Sequence, residues 1–433
     1  MQITDDEKQR INRIIHKTKH IKSIDPEYKV FGAKKWEYEW PKPVSESKLT
    51  AFENKHGILL PREYRLFMSF VANGGPGFAY GIYPLEETKQ FGDIEKECTC
   101  FPFMAYEDFK VIEDRQREIY EVDENSNEDL FYDGLLTIAT EGCTFDICLV
   151  VTGKYRGRLV RTDLNEEGPF CFIYDRNFLD WYERWLDDFI AGMEMGRFGG
   201  SVPGSQPELR RQFVSEANTE IKTSILNSLG RFPNIDDETM ALWESACKTE
   251  ASPGLTYVAL QQLLNSKAPI APAVMQFLFN SPPEKRNECI RLLRFASRHG
   301  VDIEPFIPKL LVIMGTLPLD SFLDDVFSNA VWAVQETSYN KYETFLPFLE
   351  LPDQRIKWTV FWALEISGDR NTEDFVNRLL PYFQDEDIEM VRRVILSLME
   401  IRDDRIPALV DKAYERFPEF ETLRKNYYRR TWG

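Results

Sequence analysis

Near the C-terminus, Glu365, Ile366, Asp369 and Arg370 are repeated thirty-five positions later as Glu400, Ile401, Asp404 and Arg405. Each quartet follows an apolar helical pattern, with Ile356, Val360, Ala363 and Leu364 in one and Val391, Ile395 and Leu398 in the other. Self-similarity at this period marks helix-pair repeats. A single pair cannot bury its apolar face alone, so such pairs must stack into a solenoid. From residue 208 onward no strand pattern interrupts the helical segments, which fall at 208–230, 238–248, 254–280, 284–314, 321–350, 353–383 and 387–417. The C-terminal part, 208–433, is therefore predicted to be an all-α solenoid of degenerate repeats, similar in length and Asp-Arg punctuation to the HEAT type.

The front of the chain has a different texture. Residues 5–22 predict a basic amphipathic helix with Ile11, Ile14, Ile15 and Ile21 on or near one face, and the short stripe, lacking an aromatic, favours packing on its own domain over a membrane surface. Ser45 is an N-cap signal and Gly57 a stop. Pro61 then opens a second helix carrying Tyr64, Phe67, Met68 and Val71, which ends at Asn73-Gly74-Gly75-Pro76-Gly77. Short runs rich in β-branched and aromatic residues follow at 78–85, 135–139, 145–151, 157–163 and 169–174, punctuated by glycine. Between the first two lies an insertion, 107–129, with ten carboxylates against three basic side chains. It predicts a solvated loop or loosely helical excursion. Phe178, Trp181, Trp185 and Phe189 recur at helical intervals and close an α+β domain over 1–191, a mixed sheet with flanking helices. The glycine- and proline-rich residues 192–207 predict a linker.

The formal net charge of −18 opposes a nucleic-acid partner, whose phosphates need a basic footprint, and suits either a basic protein partner or plain solubility. Seven cysteines, with no pair at zinc-ribbon or dithiol spacing, predict reduced thiols and a cytoplasmic protein. The polar N-terminus has no signal-peptide core, and no stretch reaches the length of a membrane span.

Catalytic and cofactor signals are absent from the pattern. His16 and His20 stand one helical turn apart, but no Glu lies between them and Lys17, Lys19 and Lys22 oppose a cation. No metal and no cofactor are expected. Gly74-Gly75-Pro76-Gly77 lacks the Lys-Ser or Lys-Thr of a P-loop and follows a helix instead of a strand. Residues 153–158 predict a hairpin turn. No histidine lies among the strands to serve a Ser or Cys nucleophile.

An ordered series of residues carries a more specific resemblance. Phe31-Gly32-Ala33, Tyr38 and Pro43-Val44-Ser45-Glu46 lead to Gly57-Ile58-Leu59-Leu60-Pro61. Tyr64-Arg65, Phe67, Asn73-Gly74-Gly75 and Tyr80-Gly81-Ile82-Tyr83-Pro84-Leu85 follow. Gly142-Cys143, Leu149-Val150-Val151-Thr152-Gly153 and Trp181-Tyr182-Glu183-Arg184-Trp185-Leu186 complete it. Over residues 31–190 this series resembles the SMI1/KNR4 family of the SUKH superfamily, its bacterial members in particular. The resemblance implies a protein-binding role without catalysis. Bacterial members are interpreted as immunity proteins against polymorphic toxins, often nucleases, and fungal relatives as regulatory hubs. The expected partner is therefore a protein, a basic toxin domain first and a cellular partner of the repeats as the alternative.

The family pattern makes Pro61, Tyr64, Asn73, Gly74, Gly75, Gly142, Trp181 and Trp185 structural positions. For binding, Tyr80 and Tyr83 beside the glycine turn, and Glu121, Asp123 and Glu124 in the acidic insertion, are the candidates. Alternation of Tyr80 and Tyr83 on a strand would instead make them cover for a core.

Overall fold

The computed structural model describes residues 2–100, 106–122, 130–163, 171–317, 326–368, 370 and 372–433. The chain forms two compact units, Met1–Thr239 and Met240–Gly433, with nineteen α-helices and one four-stranded sheet among the described residues.

In the first unit, α1 (Asp5–Ile24) starts at a capping box in which Thr4 and Glu7 exchange hydrogen bonds, satisfying donors that a helix start leaves orphaned. Ile11, Ile14 and Ile21 are buried. Its basic face is spent on α5 (Phe178–Ile190): Arg10, Arg13 and Lys17 converge on Glu183. The packed-helix reading of this segment thus holds. Helices α2 (Glu46–Lys55) and α3 (Arg62–Phe70) follow, the first capped by Ser45 and the second preceded by the buried Pro61. The acidic insertion begins as a regular helix, α4 (Tyr106–Val122).

The sheet is an antiparallel meander, β1 (Leu135–Gly142), β2 (Phe145–Val150), β3 (Leu159–Asp163) and β4 (Cys171–Phe172). The turn predicted at 153–158 joins β2 to β3, with Gly157 N donating to Val150 O at 2.8 Å. Strand periodicity gives the sheet two buried faces. Leu136, Ile138, Ile147, Leu149 and Leu159 join the main core with Tyr64, Phe67, Trp181 and Trp185. On the other face Leu135, Cys148, Val150 and Val160 pack with Cys100, Phe131 and Tyr132. The expected strand at 78–85 is not regular. Ile82 alone forms bridges, with Gly75 and with Ala139, while Tyr80 N and Tyr83 N donate singly to Thr140 O and Ile138 O of β1; Ala79 and Gly81 adopt positive φ and Pro84 brings no donor, so no regular strand forms.

Residues 192–207 and helices α6 (Gln206–Ser215) and α7 (Thr219–Leu229) lie within the first unit. Phe198 is fully buried, with the Arg184 guanidinium 4.1 Å and the Arg231 guanidinium 5.3 Å from its ring centroid. Arg231 also pairs with Asp188 at 2.9 Å. The division between units falls inside α8 (Asp237–Thr249).

The second unit is entirely helical among its described residues apart from one isolated bridge between Lys341 and Gly368. Each segment predicted beyond 250 resolves into two helices: α9 (Pro253–Asn265) and α10 (Ala271–Phe279), α11 (Pro283–Arg298) and α12 (Ile307–Met314), α13 (Val326–Gln335) and α14 (Tyr342–Phe345). Then come α15 (Gln354–Ile366) and α16 (Glu373–Leu379), α17 (Ile388–Ser397) and α18 (Ile406–Arg416), and a final α19 (Glu421–Thr431). Helices α9, α11, α13, α15, α17 and α19 stack in order as one layer. The second helix of each pair lies behind it, and Asp353 and Asp387 cap equivalent helices of successive pairs. This is the nearest-neighbour stacking that the repeats require.

Candidate functional site

A groove crosses the first unit where three cavities meet. One of about 390 Å³ is lined by Tyr28, Lys29, Phe31, Lys34, Lys35 and Tyr80. It shares Val30 and Phe31 with a central cavity of about 470 Å³, floored by Phe78, Ala79 and Trp185 and walled by Met193 and Met195. That cavity shares Phe78, Glu141 and Gly196 with a third, of about 400 Å³, which reaches Phe172 and Tyr174 beside the sheet edge.

Local backbone geometry puts the aromatics there. Gly32 has φ +80°, and a Cβ at this position would lie 2.0 Å from Ala79 O, so only glycine lets the 30s loop lie on the 79–80 turn. Trp36 Nε1 donates to Tyr80 O at 3.0 Å. The Tyr80 ring is half-buried and meets Phe31 edge-on, with centroids 5.0 Å apart. Gly142, at φ +93°, backs this ring: a Cβ would stand 2.8 Å from Tyr80 Cε2. Phe31 itself is 60 % exposed, an apolar side chain of the kind that anchors interfaces when a partner covers it.

The charges around the groove are mixed. Glu141 and Glu194 line the central cavity, each paired with an arginine, Arg161 at 2.8 Å and Arg197 at 3.1 Å. At the far end burial lowers the Lys35 ammonium, with Lys89 adding to the effect and Glu87 opposing it. The sheet behind β1 holds one carboxylate in an apolar setting: burial pushes Asp146 up, against hydrogen bonding from Thr140 and attraction to Lys89. The arrangement offers apolar anchors and a few fixed charges, the makeup of a recognition surface.

The residues singled out from the sequence fall in several places. Tyr80 lies in the groove, whereas Tyr83 is buried, its ring between Lys35 at 5.1 Å and Lys89 at 5.5 Å. Glu121 is exposed near the end of α4, away from the groove lining; Asp123 and Glu124 lie outside the described residues. Pro61 precedes α3, and Tyr64 packs edge-on against Phe178 at 5.0 Å. Asn73 accepts from Leu85 N at 2.9 Å and donates to Glu86 at 3.1 Å, holding the turn at Gly74 and Gly75. Trp181 and Trp185 are core residues. Sequence reasoning did not single out Phe31, Met193 or Met195 for binding. Pattern alone placed the two methionines at the start of a linker, and the only signal for Phe31 was the glycine after it.

Among the described residues no group of three or more His, Cys, Asp or Glu side chains could hold a metal, and no helix is long and apolar enough to cross a membrane. A search of curated proteins finds no match to the chain. A family model does match: that of the SMI1 / KNR4 family (SUKH-1), over residues 43–184. The matched span runs from the approach to α2 through the sheet into α5, and it contains Tyr80, Gly142 and most of the main core, to which α1 and Phe198 add from outside it. Residues 43–184 of this chain are an SMI1/KNR4 (SUKH-1) domain.

Proposed function

We propose that this chain is a non-enzymatic, protein-binding protein of the immunity type, whose first unit seats a segment of a polymorphic toxin in the groove at Phe31 and Tyr80. The observation that carries this reading is the match of residues 43–184 to the SMI1/KNR4 family model: that span supplies Phe78, Tyr80 and Glu141 to the groove, while Phe31, Met193 and Met195 flank it in sequence. Phe31, Tyr80, Met193 and Met195 supply apolar anchors, and methionine adapts its shape to variable partners. The first unit also carries most of the negative charge, 43 Asp and Glu against 30 Lys and Arg. A field of that sign accelerates encounter with a cationic nuclease. The seven cysteines are all free thiols, which fits action in the cytoplasm.

The test is to mix the full chain with the toxin domain encoded at the same locus and follow toxin activity directly. Stoichiometric inhibition, weakened by Phe31→Glu, supports the reading. If no basic toxin of the strain is bound or inhibited, the reading fails.

A further inference from the structure

Cys98 and Cys100 lie outside regular structure on the second face of the sheet, in the small cluster that also holds Phe131, Tyr132 and Cys148. Two positions apart, their Cα atoms cannot separate by much more than about 7 Å, near the limit that a disulfide spans. In a regular strand such neighbours point to opposite faces. Here the Cys98 side chain folds forward along the chain, with Sγ 3.8 Å from Cys100 O, and the two thiols hydrogen-bond each other. The segment is held on both sides: Thr152 Oγ1 donates to Lys96 O, and Thr99 Oγ1 donates to Leu130 O at 2.8 Å.

The two sulfurs differ in character. The hydrogen bond from the Cys100 thiol lowers Cys98 against burial, the Cys100 backbone adding to the effect and Asp133 opposing it. The same bond, together with burial, raises Cys100. Cys98 is half-buried, whereas Cys100 is 2 % exposed. An accessible thiolate beside a buried thiol is the arrangement of a nucleophilic and a resolving cysteine. Cys148, the third sulfur of the cluster, is pushed up to about 12 by burial and sits between the Thr137 hydroxyl at 3.2 Å and the Thr162 hydroxyl at 3.6 Å, so it does not compete.

We propose that Cys98 and Cys100 form a redox-sensitive dithiol that a hydroperoxide closes to a disulfide. With hydrogen peroxide, the Cys98 thiolate attacks one oxygen and the O–O bond breaks. The sulfur becomes a sulfenic acid, and the second oxygen leaves as hydroxide and is protonated to water. The Cys100 sulfur then attacks Cys98 Sγ, the S–O bond breaks, and the departing hydroxide takes the Cys100 proton. Two thiols and one peroxide give one disulfide and two waters.

The consequence reaches the acidic insertion. Cys100 Sγ donates to Phe131 O at 3.8 Å, and a disulfide has no proton to give. The neighbouring Leu130 accepts from Thr99 and donates to Gln116 Oε1 of α4 at 2.7 Å, while Ile112 of the same helix packs on the cluster. Ring closure therefore loosens the seat of α4. The dithiol is separate from the groove and does not rest on the toxin-binding reading.

The experiment treats the reduced full chain at neutral pH with equimolar hydrogen peroxide, quenches with iodoacetamide and maps the peptides by mass spectrometry. The peptide holding residues 98–100 should lose two hydrogens, reversibly with dithiothreitol, while Cys143 is still largely alkylated. A bulky maleimide favours the open Cys143, but hydrogen peroxide is small enough to reach the half-buried Cys98, so the order inverts. Cys100→Ser should stop at a sulfenic acid on Cys98 that dimedone traps, Cys98→Ser should leave Cys100 reduced, and Cys143→Ser should change nothing. Backbone hydrogen exchange over α4 should quicken several-fold in the oxidised chain. If a variant disturbs folding, the peptide map and the exchange of the unaltered chain decide. Cys143 oxidised ahead of Cys98, Cys98 carried to a sulfinic acid while Cys100 stays a thiol, or exchange over α4 unchanged on oxidation overturns the inference.

Discussion

Phe31 and Tyr80 are forty-nine positions apart in the sequence, yet their rings meet edge-on at 5.0 Å, and they stand where two cavities of the groove join. Two segments far apart in the chain therefore make one surface feature. If that feature is the anchor, Phe31→Glu should weaken toxin binding about thirtyfold, the effect of losing a residue worth about 2 kcal/mol at an interface. The melting temperature should hardly move, since substitutions at so exposed a position change stability by about 0.5 kcal/mol or less. Calorimetric titration beside a thermal melt separates the two.

Gly142→Ala acts on the same ring from behind. The new Cβ meets Tyr80 Cε2 at 2.8 Å and the backbone sits at φ +93°, so both strain and displacement follow. A loss of about 1–2 kcal/mol in chemical denaturation is expected, together with weaker binding. Unchanged binding would mean that the position of Tyr80 does not matter to the partner.

Glu183 predicts an acid response. Burial alone would raise its carboxyl, but Arg13 and Lys17 outweigh burial and hold it down at about 2. A carboxyl depressed in the folded state contributes stability in full above its unfolded value, and that contribution is lost as pH falls. The first unit should therefore lose stability as pH falls from about 5 towards 2. Glu183→Ala should cost about 2 kcal/mol at neutral pH by leaving Arg10, Arg13 and Lys17 without their shared carboxylate, and should flatten the acid limb of the profile. A series of melts across pH reads both effects.

Thiol reactivity should divide the cysteines. Cys143 is exposed on the β1–β2 turn and should react first with a maleimide. Cys148 and Cys247 are buried and pushed up to about 12, and Cys289 is raised by burial too. These three should stay unlabelled until denaturant is added. Cys171 is open to solvent by area, yet desolvation raises its thiol, the nearby Arg161 opposing this, so it should lag behind Cys143. Intact-mass spectrometry over time gives the order.

The helical repeats were legible because their signal is local. Asp353 and Asp387 cap matching helices, and Val360 and Ile395 fill matching core positions thirty-five residues apart. The heavy aromatic face of α5 was legible for the same reason: Trp181 and Trp185 sit at helical spacing. The 78–85 segment misled because its aromatic content suits a strand while Ala79 and Gly81 take positive φ there. Tyr83 shows the limit of alternation as a guide, since Lys35, far earlier in the chain, and Lys89, six residues on, cover its ring. The groove was the least legible part. It depends on contacts between the 30s loop, the 79–80 turn and residues 193–196, and no periodicity within a segment reports which loops will meet.

The burial of Phe198 bears on how the molecule can be divided. A fragment ending at residue 191 would keep Trp181, Arg184 and Asp188 but lose the ring that Arg184 covers and the guanidinium that Asp188 pairs with. It would open the wall of the groove by removing Met193 and Met195, and turn an aromatic face towards water. Separated after Thr239, the same region retains all of these partners, so toxin-binding measurements on an isolated first unit belong to the longer piece.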